Sequence, residues 1–207
     1  IIPNPFGVAL LITLLTSILV FIIVPLSPSY LDFFIALNFV CTIGILVLST
    51  TVYEPLKLYS FPSLLFLLTL FRLALNINST RLILSEGRAG EIIKSFGMLL
   101  SNHHIFAGLI TFFVIQIIHF IIIAKGSERV AEVAARFTLD ALPGKQMSID
   151  ADLRAGMITN EEAKSERENL LQESKYYGAM DGAVKFLKGE SMVGFFMVFI
   201  NLVGGLS

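Results

Sequence analysis

The sequence predicts an all-α protein of the polytopic membrane class, a transmembrane helical bundle with a helical cytoplasmic loop inserted in it. Three observations carry this. Hydrophobic residues make up 55% of the 207 residues and charged ones only 15%, against roughly 25% charged in a soluble domain. The apolar residues are also gathered: no Asp, Glu, Lys or Arg occurs from Ile1 to Leu31, from Phe33 to Tyr53, from Leu58 to Phe71, from Ser95 to Ala124, or after Glu190. Finally, these runs lack the alternation of apolar and polar residues that the wall of a membrane barrel requires.

A hydrocarbon core about 30 Å thick takes about 20 helical residues at 1.5 Å each. On that measure residues 1–124 form a membrane domain with spans at about 6–24, 32–51, 61–76 and 105–124, residues 125–189 form a polar loop, and residues 190–207 begin a fifth span. Pro25 and Pro28 break the chain after the first span, because proline removes an amide donor and restricts the residue before it. Tyr30, Tyr53 and Tyr59 fall at span ends, where an amphipathic ring is best accommodated. The chain opens on Ile1, not Met, without a basic n-region, and ends inside an apolar run; it reads as a piece of a longer polypeptide whose first span is retained.

Net charge is −1, which offers nothing to nucleic acid, but ten of the fifteen Lys and Arg lie between Lys125 and Lys188. The excess of basic residues predicts a cytoplasmic 125–189 loop, with the N-terminus and Tyr53 to Lys57 inside and Pro25 to Tyr30 outside. The connection from Ile77 to His104 disagrees, since it carries Arg81, Arg88 and Lys94 on the outer side. A short interfacial or re-entrant helix over Glu91 to Phe96 would soften that conflict.

Within the loop, Ser127 to Phe137 reads as a helix in which Glu132 is spaced to pair with Arg129 and Arg136. Thr159 to Glu162 reads as a capping box opening a second helix, which runs to Tyr177 and stops at Gly178, with Ala163, Leu170 and Tyr177 on its packed face. Between them, Leu142-Pro143-Gly144 reads as a turn that presents Lys145.

Sites of catalysis or metal binding find no support. Gly144-Lys145 is not a phosphate loop, because Leu139 stands where its first glycine belongs and Gln146 follows the lysine. His103 and His104 point apart on a helix and have no ligand cluster beside them. The single Cys41 reads as a buried packing residue. No nucleophile constellation, and so no enzyme or cofactor, is expected.

Charges near lipid are the stronger signals, since a central Arg or Asp costs roughly 2.5–3.5 kcal/mol even on insertion scales. Arg72, with Asn76 one turn later, either snorkels to an interface or faces a protein interior or wet channel. Gln116 and His119 face one way and read as helix-packing polar groups or as a proton relay. Asp32 and Glu190 sit at span edges, where interfacial solvation is the plain reading. Arg81 and Asp181 complete the charges that an ion-coupling reading would use. In the loop, Asp150 and Asp152, two apart in an extended stretch, would face one way, with Lys145 or Arg154 as a competing partner.

The stretch from Arg129 to Asp152, with Glu132, Arg136, Asp140, Pro143, Gly144, Lys145 and Asp150 inside it, resembles without a gap the signature of the FHIPEP family of FlhA/SctV export-gate proteins. Phe71 to Asn76 with Ser79 to Arg81, Ala124 to Arg129, and Tyr177 to Ala183 support the resemblance, which covers essentially the whole chain. It implies a component of the type III export apparatus in the bacterial inner membrane, helping to couple the proton motive force to export of unfolded protein. It also implies a homo-oligomeric ring, nonameric, with other export-apparatus membrane proteins as partners, and further spans with a C-terminal domain that docks chaperone-bound cargo. Glu190-Ser191 departs from the Asp-Ala of relatives. Ala89 to Gly97 has the shorter form of this connection, which looks more like injectisome than flagellar members. The competing readings are a stand-alone proton or cation transporter and a passive ring scaffold.

Overall fold

The computed structural model describes residues 5–52, 58–101 and 104–206, and all regular structure among them is helical. Helix α1 is Pro5–Ile23, α2 Pro28–Thr51, α3 Phe61–Glu86, α4 Glu91–Ser101, and α5 Ile105–His119. The last of these widens without a break into a π-helical stretch, Phe120–Ser127, and continues as α6, Glu128–Arg154, before α7, Asn160–Leu206. Four of these are long and apolar enough to cross a membrane, over Pro28–Thr51, Phe61–Glu86, Ile105–Ile122 and Asn160–Gly205. Helix α1, 19 residues long, is also apolar apart from Thr13, Thr16 and Ser17. The chain is thus a helical, multi-pass membrane protein.

Local chemistry explains the boundaries. Ser27 caps α2 in extended geometry with Pro28 in its first turn, where a missing amide costs nothing. Gly87 ends α3 in the left-handed conformation, φ 68°, its N–H donating to the Ile83 carbonyl at 3.0 Å. At the end of α6, Met157 N–H donates to Asp152 and Gly156 N–H to Leu153, the paired bonds of a Schellman stop, with Gly156 at φ 72°.

Helix α3 is central and packs against α1, α2 and α7. One core lies where Leu31, Leu75, Leu82 and Ala89 meet, with Phe34 and Phe71 against them. Phe34 is the hinge of an aromatic chain, 4.8 Å from Phe21 and edge-on to Phe71 at 5.9 Å. A separate small core, Ile149, Ala163 and Leu170, joins α6 to α7 in a hairpin. In its apolar half α7 turns to α3, where Phe186 meets Phe66 at 4.6 Å. Between helices in lipid such close packing, not exclusion from water, supplies the attraction.

Several sequence expectations are corrected. Pro143 does not turn the chain; it lies inside α6, because Leu142 and Ile149 on either side of it pack against α7 and hold the helix through the missing bond. Gly178 does not stop α7, which runs for 47 residues, about 70 Å at 1.5 Å per residue. A glycine in a helix interior costs only about 1 kcal/mol, and packing on α3 outweighs it. Tyr176 is buried in place of Tyr177, which is half-buried. The third span runs on to Glu86, and the fifth apolar run is the second half of α7. Cys41 is exposed, on the outward face of α2. Tyr53 to Lys57 and His103 lie outside the described residues.

Candidate functional site

Arg72 projects from the middle of α3, and the chain answers it with Glu190 of α7. The guanidinium Nε donates to one carboxylate oxygen at 2.7 Å and Nη2 donates to the other. This forked geometry is the strongest arrangement open to the two side chains. Glu190 is almost wholly enclosed, its side chain 5% exposed, whereas Arg72 retains 46%. Glu190 is therefore enclosed and paired, and Arg72 reaches across from α3 to meet it while keeping nearly half of its own side chain exposed.

Arg72 borders a cavity of about 250 Å³ between α3, α5 and α7. Asn76, Ser79 and Thr80 line it from α3, Gln116 and His119 from α5, and Glu190, Ser191 and Asn201 from α7, with Phe120 and Phe195 closing a side. Helical spacing does the gathering. Arg72, Asn76, Ser79 and Thr80 lie on one stripe of α3, and Gln116 and His119 lie three apart on α5. Thr80 Oγ1, Ser191 Oγ and Asn201 Oδ1 are buried there without a hydrogen-bond partner among the described residues.

The other predicted charges lie elsewhere. Asp32 of α2 accepts hydrogen bonds from the Glu91 and Ile92 amides at 2.9 and 3.1 Å, capping α4 from another helix. Arg81 of α3 donates to the Ile23 and Ile22 carbonyls at 3.0 and 3.2 Å and so caps the C-terminal end of α1. Asp181 pairs with Lys185 one turn on. Asn78, which the sequence reading passed over, is the centre of this stapling. It is 1% exposed, donates to the Phe21 and Ala74 carbonyls, and accepts from the Leu26 amide. An amide inside an apolar span was the available signal, because such a group must find partners.

In the hairpin, Lys145 reaches Glu173 at 2.9 Å and Asp150 reaches Arg167 at 2.5 Å. Asp150 and Asp152 do not share a face. Both lie in α6, where two residues turn about 200°, and the extended stretch expected there is absent. Arg154 closes the last turn of α6. Arg129, Glu132, Arg136 and Asp140 are exposed on its first half, and the described ion pairs include none between Glu132 and either arginine. The capping box is formed: Thr159 N–H donates to Glu162 at 2.7 Å and Glu162 N–H to Thr159 Oγ1 at 3.2 Å.

The sequence profile of the FHIPEP family matches residues 18–207. The chain belongs to the FHIPEP family. It is 50% identical over 191 residues to the harpin secretion protein HrpI of Erwinia amylovora, covering 92% of this chain and 27% of that one. It is 49% identical over 189 residues to the flagellar biosynthesis protein FlhA of Bacillus subtilis, covering 91% and 28%. With the invasion protein InvA of Salmonella typhimurium it shares 46% over 198 residues, covering 96% and 29%. This FHIPEP chain thus spans little more than a quarter of the length of these relatives. Flagellar and secretion-named relatives stand at 49% and 50% identity, so identity does not favour the injectisome branch that Ala89 to Gly97 suggested. No solved structure matches the chain.

Proposed function

We propose that this chain is the membrane part of an export-gate component of a type III protein secretion apparatus in the bacterial inner membrane, and that it helps couple the proton motive force to passage of unfolded protein. Family membership and the secretion and flagellar names of its relatives support the setting. The observation that carries the coupling is the Arg72–Glu190 pair bordering a polar cavity between three helices. The enclosed carboxylate and its guanidinium partner join α3 to α7, so any change in the charge balance around the pair alters the attraction between the two helices. Because α7 is continuous from Glu190 back to Asn160, a shift at the cavity moves the hairpin as one lever.

In this reading the 125–189 loop and the N-terminus lie in the cytoplasm. Arg81, bound to α1 carbonyls, and Lys94, beside Glu91, are then partnered charges on the outer side, which eases their conflict with the rule. Lys145, Asp150 and Asp152 form the responsive part of the loop, and copies assemble as a ring, nonameric by resemblance. Other export-apparatus membrane proteins surround it, and secreted proteins with their chaperones engage a C-terminal domain of the whole protein.

The test is secretion by Glu190→Gln and Glu190→Asp strains with membrane levels held equal. Loss in Gln with retention in Asp is expected; normal secretion by Glu190→Gln overturns the coupling role. The polar cavity also favours a second reading, an autonomous ion transporter. Proton flux through the purified protein in liposomes, without secretion partners, would replace the gate by that reading.

A further inference from the structure

We infer that the cavity between α3, α5 and α7 is a water-filled protonation site in which His119 takes up the proton and then competes with Arg72 for Glu190. This rests on the coupling reading above and adds to it the residue that receives the proton.

Water is required by the lining. Thr80 Oγ1, Ser191 Oγ and Asn201 Oδ1 come from two helices, border one cavity, and lack protein partners among the described residues. Buried hydroxyl and amide oxygens are almost always bonded, if not to protein then to water. About 250 Å³ of space holds several waters at about 30 Å³ each, and a polar lining keeps them there.

The charged and titratable side chains of the lining are Arg72 from α3, His119 from α5 and Glu190 from α7. Helix α4, which meets α5 where Ser101 lies against Gly108, brings only Glu91 and Lys94, paired with one another. A neutral imidazole has one ring nitrogen free to accept a proton and becomes a cation when it does. His119 accepts a proton from cavity water at a ring nitrogen and later returns it to water; no covalent bond other than N–H changes. The imidazolium is a second cation around a single carboxylate. Glu190 presents both oxygens to Arg72 and cannot keep that fork while turning to His119, so protonation loosens the α3–α7 clasp. Gln116, one turn before His119 on the same wall, is placed to hold bridging water.

The experiment uses the full-length protein in native membranes, in a Cys41→Ser background with single cysteines Thr80→Cys or Ser191→Cys, and Ile43→Cys as a lipid-facing control. A thiolate reached by water attacks the sulfenyl sulfur of a small water-soluble methanethiosulfonate, forming a mixed disulfide and releasing methanesulfinate. Fast labelling at positions 80 and 191 with slow labelling at 43 is expected; equal, slow labelling at all three overturns the water-filled cavity. Labelling at 191 should quicken on acidification relative to a His119→Gln protein at the same pH, and His119→Lys should hold the quick rate at every pH. An acid response that survives His119→Gln overturns the assignment of the proton to His119. Secretion separates this from the coupling reading. If labelling behaves as expected while His119→Gln secretes with the wild-type pH profile, the site stands and the coupling reading falls.

Discussion

The carboxylate of Asp32 occupies the space that a Cβ on Gly90 would fill, with Cγ 2.8 Å from that position and Gly90 at φ +98°. Gly90→Ala therefore meets both a clash and a left-handed backbone, the latter alone worth about 1–3 kcal/mol. Asp32→Ala should cost about 1 kcal/mol as a lost helix cap, and Asp32→Asn much less. Thermal unfolding in micelles should rank the losses Gly90→Ala, Asp32→Ala, Asp32→Asn. A Gly90→Ala protein as stable as wild type would show that α4 is not seated this way.

For Arg72 and Glu190 the expectation is strong non-additivity. Removing Arg72 strands the buried Glu190 carboxylate, at about 3–5 kcal/mol, removing Glu190 leaves a half-exposed guanidinium and costs less, and replacing both by apolar residues of similar size is often neutral. Arg72→Met and Glu190→Met should each destabilise the α3–α7 contact, and the double variant should recover most of the loss in reversible unfolding in mixed micelles. Additive losses would mean that the two side chains act separately.

Much of this fold was legible because lipid makes a simple demand. Uncharged runs of about 20 residues in lipid must be helices, and α1, α2, the start of α3, and α5 lie over such runs. What escaped was set by partners distant in sequence. Pro143 and Gly178 signal breaks locally, and nothing near them reveals that Ile149 and Phe186 will pack on other helices. Asp32 read as a solvated edge acid because its donors, the Glu91 and Ile92 amides, lie some 59 residues on. The candidate site divided in the same way. Arg72, His119 and Glu190 could each be picked out as costly polar groups, but only the packing of three helices puts them around one cavity.

The capping box at the head of α7 gives the hairpin a pH dependence. Hydrogen bonds from the Thr159 amide and hydroxyl hold the Glu162 carboxyl below its ordinary value of 4.5. A depressed carboxylate stabilises the fold in full above its unfolded value, and the contribution fades as pH falls through the folded one. Helix content of the hairpin should therefore decline in circular dichroism below about pH 4.5. Glu162→Gln should flatten that decline, and Thr159→Ala should cost about 1 kcal/mol at neutral pH. An unchanged acid limb in Glu162→Gln would assign it to other carboxylates.

Lys145 offers a sharper choice, because its partner within the chain is known and its role in export is proposed. It bonds Glu173 across the hairpin at 2.9 Å, with 48% of the lysine side chain still exposed, so the pair contributes about 0–1 kcal/mol. Lys145→Glu should therefore leave membrane insertion and the hairpin nearly intact while placing two like charges face to face. Adding Glu173→Lys restores an ion pair of reversed polarity. If Lys145 serves only to tie α6 to α7, the double swap should secrete like wild type. If its charge answers a group outside the hairpin, as the export reading holds, secretion should fail in both the single and the double variant at equal membrane levels. Asp150→Asn, which breaks a pair to Arg167 that is about half exposed on each side, should likewise block secretion, and Glu161→Gln in the first turn of α7 should be silent. Full rescue by the swap, together with normal secretion by Asp150→Asn, would reduce these charges to surface pairs and remove the hairpin from the coupling path.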